Sequence, residues 1–434
     1  MLIKVFKFGG ASVKDADGFR QVGNIIDLYR DDKLVIVVSA LGKTTNALEA
    51  WLNHLSEGTE ISENTFIGIK EIHYSIIQNL FESKSESLKI VSAEIDRLLE
   101  EMRQKAEEIH NEDYDYIYDQ IVSYGELLSS TLLSHYLTSL NLDNIWCDIR
   151  NSIRTDTTYR EARINWEVTQ NQVDSQLKPL LKNNNRLVTQ GFIGRTDMHN
   201  TTTLGREGSD YTAAILSYCL DAMSMHIWKD VPGVLTGDPR LFNDVMMLPR
   251  LSYKEAIEMT YYGAKVIHPK TIKPIQNKQI PLYVRPFSDP ASNGTLISDE
   301  KELTYPPIVV IEPVQALLHI SANDFSFVAE HHLSRIFTLL ASCRLKVNMM
   351  RNTAISFSVC VNQIDDRITR FESELGGEFK LITDRDLELI TIMHYNEDIL
   401  TDMKKDKLML FEEKLPEIVQ LVVRSLPKMT RKES

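Results

Sequence analysis

Residues 34–39, LVIVVS, form an unbroken apolar run rich in β-branched side chains. A run of strand length with no polar alternation suits a strand covered on both faces, the habit of parallel sheets. Upstream, residues 2–8, LIKVFKF, read as a second strand that ends at Gly9-Gly10 and feeds a helix with Phe19, Val22, Ile25, Ile26 and Tyr29 on one face. After the apolar run, the small-residue loop ALGKTTNAL enters another helix. Two successive strand–loop–helix units predict an α/β sandwich whose ligand groups gather at the C-terminal ends of the strands.

Further along, residues 47–140 read as mainly helical, with solvated charged faces between Glu94 and Glu108. Within them Tyr124-Gly125-Glu126 opens an apolar helical pattern that runs to Leu140. Strands are expected at 144–149, 186–193 and 225–229, then turn-dense chain at 230–240, two helices within 251–279, and a strand at 280–284. Asn293-Gly294 and Pro306-Pro307 place a boundary near residues 300–312. Past it, a strand at 314–320, a helix at 331–344, paired strands at 345–350 and 354–361, a helix at 364–375 and a strand at 386–395 give the β-α-β-β-α-β order of a ferredoxin-like unit. Only two more strands are visible, KLMLFEE and EIVQLVVR, before a basic tail at 428–432.

A formal charge of −13 argues against a general nucleic-acid or anionic-membrane binder, since both need a basic face. Cys147, Cys219, Cys343 and Cys360 are far apart and lack metal-ligand spacing, so they read as free thiols in a reducing compartment. No signal peptide and no apolar run of roughly 18 residues is seen, and a cytoplasmic protein is expected.

Four polar patches fall at strand ends or helix starts: 7–12, 39–45, 206–210 and 230–240. Lys7 beside a diglycine suits a phosphate, because glycines let main-chain N–H groups approach its oxygens. Gly42-Lys43-Thr44-Thr45 lacks the first glycine of a Walker-type loop. In TTTLGREGSDYTAA (201–214), a glycine-flanked loop opens a helix, with Ser209 or Asp210 as N-cap and Arg206 as a planar fork for a carboxylate.

KFGGAS, VVSALGKTTNAL, SYGE, TTTLGREGSDYTAA, DVPGVLTGDPR and MTYYGAKVIHP occur in the order and near the spacing of the aspartate kinase family, which this chain resembles over essentially its whole length. The resemblance implies an α/β fold: an amino acid kinase three-layer sandwich (1–305), then a ferredoxin-like (α+β) ACT regulatory region (312–395) and a shortened second ACT unit with the tail (396–434). It implies transfer of the ATP γ-phosphoryl group, with Mg²⁺, to the side-chain carboxylate of L-aspartate. The product, 4-phospho-L-aspartate, feeds lysine, threonine and methionine synthesis. By resemblance Lys7 and Asp210 are catalytic, Asp210 as an orienting group. Ser39, Thr45, Glu126, Arg206 and Ser209 bind substrate, Glu126 at its amino group and Arg206 at its α-carboxylate. Lys7, Gly9, Gly10, Lys229, Asp230, Leu235, Arg240 and Lys265 match nucleotide-site positions, and no dedicated protein metal site is expected. Asn323, Asp324, Phe325, Asn348 and Thr353 match an effector site for an amino acid, threonine or lysine. A homodimer or higher homo-oligomer is implied, with no nucleic-acid or membrane partner. The stretch after 395 is too short for a homoserine dehydrogenase, so a monofunctional chain is expected.

Some positions depart from the family pattern. Ala11 replaces a hydroxyl residue, Glu207 a glycine, Lys229 a common threonine and Leu235 a common aromatic. A Glu207 carboxylate pointing at the acceptor would repel it, so it is expected to face away. Asn348 and Ala354 stand where lysine-sensitive relatives carry carboxylates, which leaves a lysine ε-ammonium without its charge partner. Two rival readings are a kinase for glutamate or acetylglutamate and a non-catalytic amino acid sensor. Arg206, Glu126 and the ACT-like tail speak against the first, and the retained Lys7 and Arg206 against the second.

Overall fold

The computed structural model describes residues 2–55, 60–264, 267–323, 327–377 and 379–426. Lys265, Asp324, Phe325 and the basic tail therefore lie outside the described residues. The chain divides into two compact units: Met1–Val234, Met247–Ile257 and Val266–Leu303 form the first, and Leu235–Met246, Glu258–Lys265 and Thr304–Ser434 the second.

The first unit is built on an eight-stranded sheet. Its strands are β1 (Ile3–Phe8), β2 (Lys33–Val38), β3 (Ile145–Cys147), β4 (Arg186–Gln190), β7 (Ser224–Lys229), β8 (Arg250–Ser252), β9 (Leu282–Pro286) and β10 (Thr295–Ser298). A separate hairpin holds β5 (Ile193–Arg195) and β6 (Thr201–Thr203). The sheet order is β3-β4-β2-β1-β7-β9-β10-β8, parallel except for the β9/β10 pair. Leu34 through Val38 are wholly buried, as expected of a strand covered on both faces. The Gly208–Cys219 helix packs on β1, β2 and β7, and the Tyr124–Ser139 helix on β2, β3 and β4. In register, Lys7 lies between Val37 of β2 and Ile227 of β7. The loops leaving β1, β2, β4 and β7 thus emerge at one edge.

The helical stretch resolves into Thr44–Leu55, Glu60–Leu80, Glu86–Ile109, Tyr114–Val122 and Tyr124–Ser139. The charged run lies on the third of these and carries exposed pairs such as Arg97–Glu101. Gly294 (φ +62) turns between β9 and β10 inside the first unit, so Asn293-Gly294 is a hairpin and no boundary. No cysteine is bridged among the described residues.

The second unit holds β11 (Ile308–Ala322), β12 (Val347–Asn352), β13 (Ser356–Asn362), β14 (Phe379–Met393), β15 (Lys407–Lys414) and β16 (Ile418–Ser425) in one antiparallel sheet, order β12-β13-β11-β14-β16-β15. The Glu330–Ser342 and Asp365–Leu375 helices cover the ferredoxin-like part, burying Ile336, Leu340, Ile368 and Phe371 against Leu318, Ile320, Phe357 and Val359. Strands β11 and β14 are longer than the sequence suggests because each serves two groups. Residues 308–312 and 389–393 pair with each other, and 388–393 also pair with β16. The register slips between Glu312 and Leu317, where Val314 and, on β14, Asp386 take left-handed conformations. The two terminal strands foreseen from sequence are thus completed by strand halves that precede them. Their core of Val309, Ile390, Ile392, Val419 and Leu421 is covered by Leu400 of the Glu397–Lys404 helix and by Phe242.

Candidate active site

A cavity of about 480 Å³ opens at the strand-end edge of the first unit, lined among others by Lys7, Gly10, Ser39, Thr45, Glu126, Arg206, Ser209 and Asp210. Its floor is an ion pair. Lys7 Nζ, near the end of β1, lies 2.6 Å from Asp210 Oδ1 in the first turn of the Gly208–Cys219 helix, and both side chains are almost wholly buried. Burial alone would push the Asp210 carboxyl up, but the Lys7 and Lys229 ammonium groups outweigh it and hold it below the usual range.

The helix begins earlier than the sequence suggests. Its N-cap is Glu207, left-handed at φ +54, with no side-chain cap bond, and Ser209 and Asp210 fall inside the first turn instead of capping it. Gly205 (φ +73) and Glu207 fold the chain back, with Gly208 N donating to Gly205 O at 2.9 Å, and this puts exposed Arg206 at the turn's tip. Gly191, at the end of β4, lets the helix seat there: a Cβ on it would come within 2.4 Å of Ser209 Cβ.

Two further loops close on each other over the Lys7–Asp210 pair. Gly42 N donates to Gly10 O at 3.1 Å, and a Cβ on Gly10 would stand 2.8 Å from Gly42 O. The GKTT stretch is thus a left-handed Gly42 and the start of the Thr44–Leu55 helix. Gly125 permits a similar approach, since a Cβ there would meet Ala40 Cβ at 2.9 Å. Its neighbour Glu126 accepts a bond from Ala40 N at 3.2 Å. Glu126 is buried, its Oε2 has no hydrogen-bond partner among the described residues, and burial pushes its carboxyl up to about 8 against the pull of Ala40 N–H and Lys7. A buried carboxylate with one idle oxygen is a costly feature unless something cationic visits it.

The cavity also takes in Tyr118, Arg160, Glu161 and Phe192, which sequence reasoning did not single out. Phe192 lies two residues past the end of β4, so its place just beyond a strand was a usable signal. Arg160 carried none. It stands at φ +67, its guanidinium 4.1 Å from the Tyr118 ring centre and 2.9 Å from Glu49 Oε1. Asp119 holds this wall: its wholly buried carboxyl accepts from Thr203 N at 2.8 Å, Thr203 Oγ1 at 2.7 Å and Arg160 N at 3.0 Å. Burial raises it to about 6 despite these donors.

The remaining sequence-derived residues are not in the cavity lining. Gly9 caps the short Gly10–Val13 turn, and Lys229 and Asp230 end and follow β7. Leu235 and Arg240 belong to the second unit, where Arg240 pairs with Asp238 at 2.5 Å. Asn323, Asn348 and Thr353 are also in that unit. Among the described residues no group of three or more His, Cys, Asp or Glu side chains is placed to hold a metal ion. No described helix is long and apolar enough to cross a membrane.

Residues 3–286 match the amino acid kinase family. The largely parallel sheet with its polar groups at the strand ends is the architecture of this match. The chain belongs to that family and, within it, to the aspartokinases. It is 33% identical over 365 residues to the lysine-sensitive aspartokinase 3 of Escherichia coli (strain K12), covering 83% of this chain and 78% of that one. Two crystal structures of Escherichia coli aspartokinase III superpose on it, each at 27% identity over 97% of this chain and 96% of theirs. One, with aspartate and ADP in an R state, gives a TM-score of 0.82. The other, with lysine and aspartate in a T state, gives 0.81.

Proposed function

We propose that the chain is an aspartate kinase that uses ATP to phosphorylate the side-chain carboxylate of L-aspartate, the entry step to the aspartate-derived amino acids. One observation carries this reading: a single cavity presents a buried carboxylate with an idle oxygen, Glu126, together with the cations Lys7 and Arg206. An amino acid with a second carboxylate complements that set. Its ammonium meets Glu126, its α-carboxylate meets the Arg206 fork, and Ser39, Thr45 and Ser209 supply hydroxyls.

The step needs no base, because the acceptor carboxylate, with a pKa of about 4, is already ionised at neutral pH. A carboxylate oxygen forms a bond to the γ-phosphorus while the bond to the β,γ-bridging oxygen breaks, and ADP leaves with that electron pair. The obstacle is bringing two anions into line. Lys7, held in place by Asp210, sets a positive charge at the meeting point, with the Gly10 turn open to phosphate oxygens. Gly9, Lys229 and Asp230 serve the nucleotide side. Mg²⁺ would accompany ATP and offset the charge of its phosphates.

The second unit reads as regulatory. An ACT-type region at 312–395, with 396–434 completing a second, reduced unit, binds an amino acid effector, threonine or lysine, near Asn323, Asn348 and Thr353. Assembly into a homo-oligomer and a cytoplasmic location accompany this reading. The test is trapping of the acyl phosphate by hydroxylamine with aspartate, glutamate or acetylglutamate as acceptor. Turnover on aspartate alone supports the proposal. Binding of ATP without turnover on any acceptor overturns it in favour of a sensor.

A further inference from the structure

Glu207 adopts a left-handed conformation that favours glycine, at a cost of about 1 kcal/mol for a side-chain-bearing residue. Its own helix gains no side-chain cap from it. Instead its Oε2 reaches across to a different element and accepts a bond from His268 N at 2.8 Å. His268 is the N-cap of the Pro269–Asn277 helix. The link is reciprocated: Lys270 Nζ, in the first turn of that helix, donates to Leu204 O at 2.9 Å. Two crossed bonds, one a carboxylate at a helix N-terminus and one an ammonium on a backbone carbonyl, therefore clamp residues 204–207 to residues 268–270. Arg206 sits inside the clamped turn, between the two left-handed residues Gly205 and Glu207. Glu207 belongs to the cavity lining, and its Oε2 is engaged by the His268 N–H.

We propose that Glu207 is a positioning residue: it acts through Arg206 by fastening the acceptor-binding turn to the start of the Pro269–Asn277 helix. This rests on the aspartate kinase reading above, in which Arg206 holds the acceptor's α-carboxylate. A turn pinned at one point only would leave the long Arg206 side chain to search, and ordering it on binding would weaken acceptor affinity.

The test compares Glu207→Gly, Glu207→Gln and Lys270→Met in the full-length chain, by steady-state kinetics and thermal melts. Glu207→Gly removes the link while relieving the backbone, so its melting temperature is expected to match or exceed that of the unmodified chain. Its KM for aspartate is expected to rise about tenfold, with kcat falling less than threefold. Glu207→Gln keeps an accepting oxygen and should return KM to within about threefold. Lys270→Met, which cuts the other bond, should raise KM in the same direction. An unchanged KM in Glu207→Gly, or a Glu207→Gln no better than Glu207→Gly, overturns the assignment. Absence of aspartate turnover in the unmodified chain would instead overturn the functional reading, so the two failures are distinguishable.

Discussion

Lys7 Nζ and Asp210 Oδ1 lie 2.6 Å apart beneath the cavity, joining the central strand of a parallel sheet to the N-terminal turn of the helix that packs on it. The pair does two jobs. In the proposed reaction it fixes a cation where phosphoryl transfer requires one, and it neutralises a carboxylate that burial alone would disfavour.

Removing either partner should therefore cost stability as well as activity. Lys7→Ala leaves Asp210 buried with only Lys229 to balance it, and a loss of about 3 kcal/mol is expected on denaturant unfolding, with turnover falling at least a hundredfold. Lys7→Ala/Asp210→Asn should recover much of the stability and none of the activity. The pH sign follows from the depressed Asp210 carboxyl. The pair's contribution is fully present above the unfolded pKa near 4 and is lost as pH falls through the folded value. A double variant no more stable than Lys7→Ala would show that the pair is not coupled.

Glu126 gives the opposite sign. Its folded carboxyl, at about 8, is raised above the unfolded value near 4.5, so it costs stability progressively as pH rises from 4.5 to 8. Glu126→Gln should be more stable than the parent at pH 9 by a few kcal/mol and nearly equal at pH 4. In the proposed site the aspartate ammonium pairs with the ionised form, so apparent affinity should weaken as pH falls below 8, approaching tenfold per unit. Calorimetry in two buffers of different ionisation enthalpy should detect a proton released on binding at pH 7. A pH-independent affinity would remove Glu126 from the ammonium site.

Asp119 is a structural counterpart. With Thr203 and Arg160 as its donors, Asp119→Ala would strand Thr203 N and Thr203 Oγ1 in the interior, at about 2–4 kcal/mol. It would also free the Arg160 wall of the cavity. Loss of stability without any change in KM for aspartate would mean that this wall does not shape the acceptor site.

The parallel core, the edge carrying the ligand groups and the ferredoxin-like order were legible because each is written in local pattern. LVIVVS alone specifies a strand buried on both faces, and the glycines at 9–10 and 205–208 announce close backbone approach. What stayed hidden depends on chain distant in sequence. The 308–312 half of β11 reads as a linker until 389–393 supplies its partner, and short strands such as β8 and β10 show too few residues for a period. Arg160 lies in a turn whose backbone N–H is held by Asp119 of the Tyr114–Val122 helix, a relation that no local pattern carries.

Asn348 offers a test of the regulatory unit. Its Nδ2 donates to Gln315 Oε1 at 2.8 Å and Asn362 Oδ1 at 2.6 Å, while its Oδ1 is buried without a partner among the described residues. A neutral amide so engaged gives a lysine ammonium no counter-charge. Threonine is expected to inhibit at lower concentration than lysine, and Asn348→Asp to lower the lysine concentration for half-inhibition about tenfold. The substitution also removes a donor from two oxygens and should cost about 1–2 kcal/mol, part of which lysine restores on binding. Equal lysine inhibition of the parent and Asn348→Asp would remove this residue from the effector site.

Two glycines should respond to alanine with opposite signs. At Gly10 the added Cβ would lie 2.8 Å from Gly42 O and 2.9 Å from Ala40 O, and both are backbone atoms that no rotamer change can move. Relief requires the loop after β1 to part from the loop after β2, breaking the Gly42 N to Gly10 O bond that ties together two loops lining the cavity. Gly10→Ala should cost about 1–3 kcal/mol and lower kcat at least tenfold. At Gly68, inside the Glu60–Leu80 helix, a Cβ meets nothing within 4 Å. Gly68→Ala should therefore stabilise by about 0.5–1 kcal/mol through helix propensity alone and leave kinetics untouched. Thermal melts and the hydroxamate assay on the two variants decide the matter. A Gly10→Ala protein with full activity would show that the closeness of the two loops is incidental to phosphoryl transfer.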